Sequence, residues 1–375
     1  MQIHQMKLQH KKLHPRFTLN SISYTELELL QEAQRLIKEG EDFEKSIGSF
    51  LLEWLNEENT VLVTTSGSTG KPKQIRLQKK QMKNSALATA TFFNLKEGNT
   101  ALHCLSTDFI AGKMMLVRAM EIGLELYYVS PNAIALDTNI KYDFAAMVPL
   151  QLEVSLVSVN SIKKLLIGGA PMPKGLKEKV KDKTVAIFET YGMTETITHI
   201  AIKPINKTAI AASVIRNGLS ENFSKTFKTL PNITITTDKR GCLVIHAEKL
   251  SEEVVVTNDL VKIISATEFQ YLGRFDNIIN SGGIKLIPEE IETKLISLLK
   301  TPYFVVGIPD NKLGQKLVLI LEGKEIPENL TSEIAALKSL TKYQIPKEVF
   351  LVPKFVEANG KVQRKETLKL IDLSQ

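Results

Sequence analysis

Apolar and polar positions along the first half of the chain follow a strand and helix rhythm. Ser23 and Glu26 have the spacing of a capping box, and helical spacing follows them through Leu30 and Leu36 towards Trp54. Short apolar runs typical of buried strands are then separated by stretches with helical spacing. The predicted strands are 60–65, 101–105, 124–129, 144–148, 165–167 and 185–188, and the predicted helices include 78–93, 112–122 and 173–181. This order indicates an α/β layered fold.

The pattern changes in the second half of the chain. From Thr198 to Ile264 the apolar runs become closely spaced, and the residues Asp238–Gly241 between two of them indicate a hairpin turn. Past Arg274, strands and helices form a complete pattern of their own, over about 100 residues, which is enough for a domain. We therefore expect a large N-terminal domain over 1–273 that includes a small β-rich subdomain. A hinge should join it to a small, mobile α+β C-terminal domain over 274–375.

The composition is that of an ordinary globular protein. Of the 375 residues, 43% are apolar and 24% are charged, which argues against extended disorder. No apolar run approaches the roughly 20 residues that a membrane-spanning helix needs. The first residues, Met1–Arg16, are polar and lack the apolar core of a secretory signal. We expect a cytoplasmic enzyme without an integral membrane segment.

Charge and cysteine content narrow the function classes. The net charge of +7 is spread along the chain, and no arginine-rich tract is interleaved with aromatic residues, so a nucleic-acid partner is not expected. Such a positive field also attracts small polyanions such as nucleotides and coenzyme A. Cys104 and Cys242 lie far apart and form no C-x-x-C pair, which favours buried thiols over a disulfide or a zinc site.

A phosphate-binding loop is predicted between the strand 60–65 and the following helix. Glycines let the backbone approach phosphate oxygens, hydroxyls and amides donate to them, and lysines add positive charge. The loop differs from a Walker A loop, which has four residues between its glycines and a Ser or Thr after its Lys. The magnesium ligand must therefore lie elsewhere. The residues concerned are Thr65, Ser66, Gly67, Ser68, Thr69, Gly70, Lys71, Pro72 and Lys73.

Over these nine positions the chain resembles the adenylate-forming superfamily of acyl-CoA synthetases, luciferases and peptide-synthetase adenylation domains. The signature loop of that superfamily reads T-S-G-S-T-G-K-P-K, and the match is complete. Further motifs follow in the superfamily's order, and the resemblance extends from about Val61 to Arg364. They are Gly168–Pro171, Tyr191–Thr196, Thr257–Asp259, Leu272–Asn277, Ser281–Lys285 and Asn359–Arg364.

The resemblance implies roles for two motifs of the first domain. The turn made by Gly168, Gly169 and Ala170 would line the adenine and acyl site. In the second motif, the Tyr191–Gly192 pair would offer a face on which adenine stacks. Thr194 would donate to the α-phosphate, and Glu195 would give Mg²⁺ the hard oxygen ligand that the phosphate loop lacks.

The later motifs imply ribose binding, a hinge and a contact with coenzyme A. Asp259, in a T-N-D version of the family's T-G-D, and Arg274 would bind the ribose hydroxyls. Asn277 occupies the family's hinge position and Asp276 precedes it, so either residue could be the pivot. The turn Ser281, Gly282 and Gly283 would present backbone to the pantetheine arm, although Ile284-Lys285 replaces the usual Glu-Asn.

The last motif carries the expected catalytic lysine. Lys361 matches the lysine of the family's G-K pair, which neutralises charge between the carboxylate and the α-phosphate. Glu357 replaces a usual Thr three residues before the Gly, so the approach of this loop can differ. Together with Thr194 and Glu195, Lys361 completes the predicted catalytic set.

Departures from the superfamily pattern narrow the choice of the carboxylic acid that is the substrate. Little chain precedes the phosphate loop, and Phe109 stands where relatives often have His. The short front end and the segments around 109–119 and 279–292 are most similar to the compact o-succinylbenzoate-CoA ligases of menaquinone synthesis. That acid has two carboxylates, of which one is activated and the other needs a polar or cationic partner. The candidate partners are Lys113, Arg118, Thr196 and His199, although His199 could be an ordinary strand residue and Arg118 could lie on the outer face of its helix.

The resemblance therefore implies an ATP-dependent acid–thiol ligase. ATP and Mg²⁺ would convert a small carboxylic acid to an acyl-adenylate, and coenzyme A would then accept the acyl group. Alternatives are another aryl- or acyl-CoA ligase, an adenylation enzyme that loads a carrier protein, and a non-catalytic nucleotide-binding module. The oligomeric state is not predicted.

Overall fold

The computed structural model describes residues 13–65, 73–131, 136, 139–217, 225–358 and 361–371. The chain divides into two compact units. Unit 1 comprises Met1–Thr234 and His246–Val255, and unit 2 comprises Ile235–Ile245 and Val256–Gln375. The predicted domain boundary at 273/274 lies within unit 2 and stays a prediction.

Unit 1 is an α/β structure. Its elements are β1 (Thr18–Leu19), β2 (Ile22–Ser23), α1 (Glu26–Glu39), α2 (Asp42–Leu55), β3 (Thr60–Thr65), β4 (Lys73–Gln78), α3 (Lys79–Phe93), β5 (Thr100–His103), α4 (Ile110–Ile122), β6 (Glu125–Tyr128), β7 (Tyr142–Met147), α5 (Pro149–Val154), β8 (Ile162–Ile167), α6 (Lys174–Val180), β9 (Ala186–Gly192), β10 (His199–Pro204), α7 (Lys207–Asn217) and β11 (Phe227–Thr229).

The sheet of unit 1 is mostly parallel. Its strand order is β11-β10-β9-β8-β7-β5-β6-β1-β2, and the neighbours from β9 to β1 are parallel. The outer strands β10, β11 and β2 are antiparallel. Parallel strands joined by helices place all their carboxyl ends at one edge of the sheet, where ligands usually bind.

Helices cover both faces of this sheet. On one face, the ring of Phe93 in α3 lies 5.8 Å from that of Phe144 and 5.1 Å from that of Phe188. On the other face, Leu152 of α5 and Leu176 of α6 pack against a buried cluster of strand residues. Strands buried on both faces read as nearly continuous apolar runs, which is why the sequence pattern identified them.

Three details of unit 1 differ from the sequence expectation. Helix α1 is capped by a Thr25–Glu28 box instead of Ser23–Glu26, and it ends at Gly40, before α2. The phosphate loop lies between two antiparallel strands, β3 and β4, because the alternating residues after it continue as a strand before α3 begins. Helix α7 interrupts the region that was expected to contain only strands, and β10 belongs to the main sheet.

Among its described residues, unit 2 contains a row of four neighbouring strands, a five-stranded sheet, a two-stranded sheet and short helices. Its elements are β12 (Thr234–Thr237), β13 (Cys242–His246), β14 (Val255–Ser265), β15 (Glu268–Arg274), β16 (Ile279–Ser281), β17 (Ile284–Leu286), α8 (Pro288–Leu295), β18 (Tyr303–Asp310), β19 (Gly314–Glu322), α9 (Leu330–Ala336), β20 (Glu348–Val352), β21 (Glu357–Ala358), β22 (Lys361–Val362) and α10 (Arg364–Leu368). The predicted turn Asp238–Gly241 joins β12 to β13, and Asp238 caps it by accepting from the amides of Arg240 and Cys242.

The second sheet of unit 2 has the order β17-β16-β19-β18, and β20 pairs with β19. Alternate residues of β19 face two different cores. Leu317, Leu319 and Leu321 belong to one, and Val318 and Ile320 to the other. Both faces of this strand are buried, in agreement with its continuous apolar sequence. Within the described part of the chain, no helix is long and apolar enough to cross a membrane.

Candidate active site

Two predicted motifs lie at the carboxyl edge of the parallel strands in unit 1. Gly168–Ala170 follows β8 directly, and Tyr191–Gly192 ends the neighbouring strand β9. The sheet topology therefore brings together residues that are more than 20 positions apart in sequence. This edge is where α/β proteins bind nucleotides.

Close backbone packing explains the glycines at this edge. A Cβ atom on Gly168 would lie 2.6 Å from the Thr190 hydroxyl, which donates to the Ile167 carbonyl. Gly169 has φ +82°, in the left-handed region that favours glycine. A Cβ atom on Gly192 would overlap the Thr198 carbonyl. These positions leave a surface of backbone, as a flat adenine ring requires.

Tyr191 belongs to a set of contacts that starts at a buried carboxylate. Glu189, in β9, accepts from the amide of Met172 at 2.9 Å and pairs with Lys177 at 3.1 Å and with Lys203 at 2.8 Å. Lys203 lies 4.3 Å from the centre of the Phe227 ring, which in turn lies 5.8 Å from the Tyr191 ring. Glu189 therefore holds Met172, which follows the glycine turn. Through Lys203 and the Phe227 ring, it is also connected to one side of the Tyr191 ring.

The turn that carries Thr194 and Glu195 is a 3₁₀ segment, Thr194–Thr196. Glu195 is exposed, so its carboxylate is accessible to Mg²⁺, whose other ligands would be phosphate oxygens and water. Thr196 is buried, and its hydroxyl contacts the Met193 and Thr198 carbonyls at 3.1 and 3.0 Å. Thr196 was predicted to contact the substrate, but its hydroxyl is already occupied by these two contacts within its own turn.

Backbone strain marks the end of the same turn. Ile197 has φ +68°, which is unusual for a β-branched residue because its side chain crowds the backbone. Ile197 is fully buried, so surrounding packing holds this conformation. Strain of this kind often occurs at ligand sites. It directs the chain from Glu195 into the sheet at His199.

Arg118 and His199 meet in the interior of unit 1. Arg118 is only 2% exposed, and its NH2 atom lies 3.5 Å from His199 Nδ1. Its other contacts are neutral: the Thr89 hydroxyl at 3.4 Å and the Met115 sulfur at 3.6 Å. Burial lowers the pKa of Arg118 to about 10, and it lowers the pKa of His199 well below its usual value, with a further contribution from Arg118. The suggestion that Arg118 lies on the outer face of its helix is wrong.

The tautomer of His199 follows from this contact. A guanidinium group can only donate, so the neutral His199 accepts at Nδ1 and carries its proton on Nε2. His199 Nε2 is buried and has no hydrogen-bond partner among the described residues. Ser85, one turn before Thr89 on α3, also has a buried hydroxyl without such a partner. A buried cation and an unused donor are the groups that bind a buried anion.

Lys113 lies elsewhere, although it shares helix α4 with Arg118. Its Nζ atom lies 3.6 Å from a Glu53 carboxylate oxygen and 4.8 Å from the centre of the Phe50 ring, both on α2. Five residues along a helix correspond to a rotation of about 140°, which places the two side chains on different faces. The structure therefore groups Arg118 with His199 and separates Lys113 from them.

In unit 2, the predicted ribose-binding pair is in direct contact. Asp259 of β14 and Arg274 of β15 are opposite each other in the antiparallel ladder, and their side chains lie 3.2 Å apart. Asp259 is 7% exposed, whereas the Arg274 side chain is 34% exposed. The arginine orients this carboxylate, whose remaining lone pairs can accept hydrogen bonds from hydroxyl groups.

The two candidate hinge residues point towards different elements. Asp276 accepts from Asn258 Nδ2 at 3.2 Å and lies 3.4 Å from Arg274, both on the β14–β15 ladder. Asn277 donates to Glu289 of α8 at 2.6 Å. The side-chain partners thus change between 276 and 277. The pivot itself stays a prediction.

The remaining predicted residues of unit 2 lie on hairpins. Gly282 and Gly283 have φ +60° and +82°, and they join β16 to β17 directly after Ser281, as a tight two-residue turn requires. Lys361 begins β22 and is paired with Ala358. Its side chain, and all of Asn359 and Gly360, lie outside the described residues. So do Ser66, Gly67, Ser68, Thr69, Gly70 and Lys71, whereas Thr65 ends β3 opposite Lys73.

Two groups of site residues were absent from the sequence prediction. Glu189 is a charged residue within the mostly apolar strand β9, two residues before Tyr191, and this position is the signal that could have revealed its role. Ser85 and Thr89 are spaced by four residues on α3, so they share one helix face, and the Thr89 hydroxyl contacts Arg118.

Comparison with known proteins defines the family. The family model described as AMP-binding enzyme matches residues 7–217, which is more than half of the chain. An acyl-CoA synthetase (AMP-forming)/AMP-acid ligase II-like protein from Dyadobacter fermentans is 33% identical, with a TM-score of 0.58, over 92% of this chain and 98% of that chain. The chain therefore belongs to the AMP-binding enzyme family. The predicted resemblance to the adenylate-forming superfamily and the predicted fold class are confirmed.

The narrower resemblance is also confirmed. A 2-succinylbenzoate–CoA ligase from Bacillus cereus is 24% identical over 88% of this chain and 73% of its own length. The o-succinylbenzoate CoA synthetase of Bacillus subtilis, in complex with its acyl-adenylate intermediate, has a TM-score of 0.74 at 18% identity, over 94% of this chain and 95% of that chain. The same enzyme with ATP and magnesium gives a TM-score of 0.68 at 21% identity, over 92% of this chain and 82% of that chain.

Proposed function

We propose that the protein is an ATP- and Mg²⁺-dependent ligase that forms an acyl-adenylate and then an acyl-CoA thioester, with o-succinylbenzoate as its acid. The family and the names of its relatives support the reaction class. The observation that carries the choice of acid is the buried guanidinium of Arg118, which contacts only neutral groups among the described residues. Since ATP and coenzyme A are both cytoplasmic, we assign the reaction to the cytoplasm.

The first half-reaction needs positive charge and orientation rather than a side-chain nucleophile. The substrate carboxylate attacks the α-phosphorus of ATP, and pyrophosphate leaves. In this proposal Tyr191 and the Gly168–Ala170 backbone hold adenine, and Asp259 and Arg274 hold the ribose. Thr194 and Lys361 contact the reacting carboxylate and α-phosphate, where they stabilise developing negative charge. Glu195 would hold Mg²⁺, which orients the phosphates.

The second carboxylate of the acid explains the polar interior of unit 1. A buried charge without a partner costs several kcal/mol, so a fold tolerates such a charge only where another charge compensates for it. A carboxylate at Arg118 would receive a charged hydrogen bond and a second one from His199 Nε2–H. An acid with one carboxylate would leave the charge of Arg118 without a counter-charge and the Nε2–H of His199 without an acceptor. Arg118 and His199 therefore select an acid with two carboxylates.

A pyrophosphate-exchange screen over aromatic and aliphatic acids tests the reaction and the acid together. The proposal expects the strongest exchange with o-succinylbenzoate, and subsequent thioester formation with coenzyme A instead of a carrier protein. Strong exchange with a different acid, and none with o-succinylbenzoate, would refute the choice of acid. Absence of exchange with every acid would refute the ligase itself.

Arg118→Met tests the carboxylate site. Loss of a buried charged hydrogen bond costs about 2–5 kcal/mol, so kcat/KM for o-succinylbenzoate should fall at least about 30-fold. Activity with an analogue that lacks the carboxylate that is not activated should change less than about 3-fold, since that acid does not use the bond. Lys113→Met is the matched control on the same helix, and it should leave the preference between the two acids unchanged. Equal losses for both acids in Arg118→Met would contradict the proposed contact.

A further inference from the structure

Arg364 closes the motif that contains Lys361, and its side chain is held by a fork of hydrogen bonds. Its NH1 atom lies 2.8 Å from Glu292 Oε1, and its NH2 atom donates to Glu292 Oε2 at 2.9 Å. NH1 also donates to the Val305 carbonyl at 3.2 Å, and the guanidinium lies 5.5 Å from the centre of the Phe304 ring. Two parallel bonds to one carboxylate fix both the position and the orientation of a guanidinium.

This contact anchors a hairpin that has little other support. The strands β21 and β22 contain two residues each, and isolated hairpins of this length are unstable in water. At its base, the Gln363 amide donates to the Val356 carbonyl at 2.8 Å, and the Val356 amide donates to the hydroxyl of buried Thr367 at 3.1 Å. Lys361 is three residues before Arg364. The Glu292–Arg364 pair therefore determines where the backbone of Lys361 lies relative to helix α8.

The same helix also contacts the predicted hinge. Glu289, one turn before Glu292, accepts from Asn277 Nδ2 at 2.6 Å, and its Oε1 atom lies 3.8 Å from Arg364 NH2. Helix α8 thus has contacts with Asn277 through one glutamate and with the Lys361 hairpin through the next. A displacement of the hinge residue changes the surroundings of both carboxylates. The Glu292–Arg364 pair is therefore connected to Asn277 through helix α8, and it is not an isolated surface contact.

We propose that the Glu292–Arg364 pair is a positioning device for Lys361 and that it acts in acyl-adenylate formation but not in thioester formation. This inference rests on the proposed function, in which Lys361 contacts the carboxylate and the α-phosphate during the first half-reaction. A cation that stabilises a transition state is effective only when it is held within a fraction of an ångström of its place. Neither Glu292 nor Arg364 needs to contact the substrate.

Separate assays of the two half-reactions test the proposal. Glu292→Gln keeps the shape of the side chain and removes its charge, and Arg364→Met removes the fork. Each variant should lower kcat for pyrophosphate exchange by about 10- to 100-fold, while KM for ATP and for the acid changes less than about 3-fold. Thioester formation from supplied acyl-adenylate should stay within about 3-fold of wild type. Arg364→Lys should restore only part of the loss, because lysine lacks the planar fork.

A double-mutant cycle links the effect to Lys361. In a Lys361→Ala background, Arg364→Met should reduce adenylation further by less than about 2-fold, since there is no lysine left to position. Lys316→Met is the matched control, because it breaks an ion pair with Glu348 on β19 and β20 of the same unit. It should leave both half-reactions unchanged. Thermal unfolding of each variant measures effects on folding, and Glu292→Gln is the milder variant if Arg364→Met does not fold.

Two results would overturn the inference while leaving the proposed function intact. One is an equal loss of both half-reactions in Glu292→Gln, which would indicate a purely structural role. The other is a full additional effect of Arg364→Met in the Lys361→Ala background. If wild-type protein showed no exchange with any acid, or if Lys361→Ala kept full adenylation, the proposed function would fail first and the inference with it.

Discussion

The buried imidazole of His103 should make unit 1 sensitive to mild acid. His103 ends β5 and is 1% exposed, and among the described residues its ring makes one hydrogen bond, between Nε2 and the Thr107 hydroxyl at 2.9 Å. Its Nδ1 atom has no partner among the described residues. Burial lowers the pKa of His103 from 6.5 to about 4, because a protonated ring would lose its hydration in this environment.

The sign and size of the effect follow from linkage. Between pH 6.5 and about 4, the unfolded chain binds a proton at His103 that the folded protein does not bind. Lowering the pH in this range therefore favours unfolding, by about 1.4 kcal/mol for each pH unit. At pH 5, the contribution is about 2 kcal/mol relative to neutral pH, which is a large part of the free energy of unfolding of an ordinary domain.

His103→Gln measures this contribution. Glutamine can keep a hydrogen bond to Thr107 but does not titrate. Between pH 7 and pH 5, the free energy of unfolding of the variant should therefore fall by about 2 kcal/mol less than that of wild type. The pKa of His199 is lowered as well, but His199 is present in both wild type and His103→Gln, so its contribution cancels in the difference between them. Urea unfolding followed by tryptophan fluorescence suits the purpose, because the single tryptophan, Trp54, is buried in unit 1.

A control variant separates titration from packing. Thr107→Val removes the hydroxyl contact but leaves the imidazole, so it should keep the pH dependence of wild type even if its stability is lower. The reasoning would be refuted if wild type and His103→Gln lost the same free energy of unfolding between pH 7 and pH 5. That outcome would mean that the folded protein protonates His103 as easily as the unfolded chain does.

Two further predictions concern the nucleotide and the catalytic lysine. Lys361→Ala should abolish acyl-adenylate formation and leave thioester formation from supplied acyl-adenylate intact, as measured in separate half-reaction assays; equal loss of both would exclude the assigned role. Asp259→Asn removes the charge that would accept from the ribose hydroxyls, so KM for ATP should rise about 10-fold, the equivalent of about 1.4 kcal/mol. Wild type should also discriminate against 2′-deoxy-ATP and this variant should not, whereas unchanged discrimination would place the ribose elsewhere.

The elements could be predicted because their signals are local. Strands β5, β7, β8 and β9 are short apolar runs, and helix α4 has helical spacing, so each is recognisable within a few residues. Boundaries were less certain. The strand β4 was missed because it directly precedes helix α3. The cap of α1 was placed two residues early because Ser23 and Thr25 both fit a capping pattern.

The motifs were also available from the sequence, since each is a continuous stretch whose glycines and polar residues have fixed spacing. The order of these stretches identified the family before any contact was known. Asp259 and Arg274, which the resemblance assigns to the same ribose, lie opposite each other because the turn between β14 and β15 places the two residues in register. Local pattern and motif order thus determined the fold class, the family and the candidate residues.

Only the tertiary structure decided which side chains meet. Arg118 and His199 are 81 positions apart, and nothing in either neighbourhood predicts that α4 and β10 bring them within 3.5 Å. Lys113 was an equal candidate in sequence, yet packing turns it towards Glu53. Arg364 is 72 positions from Glu292, and the fork between them depends on how α8 and α10 both bring these residues to Val305 of β18. Periodicity determines which face of an element is apolar, whereas the partner of a buried charge depends on how distant elements pack.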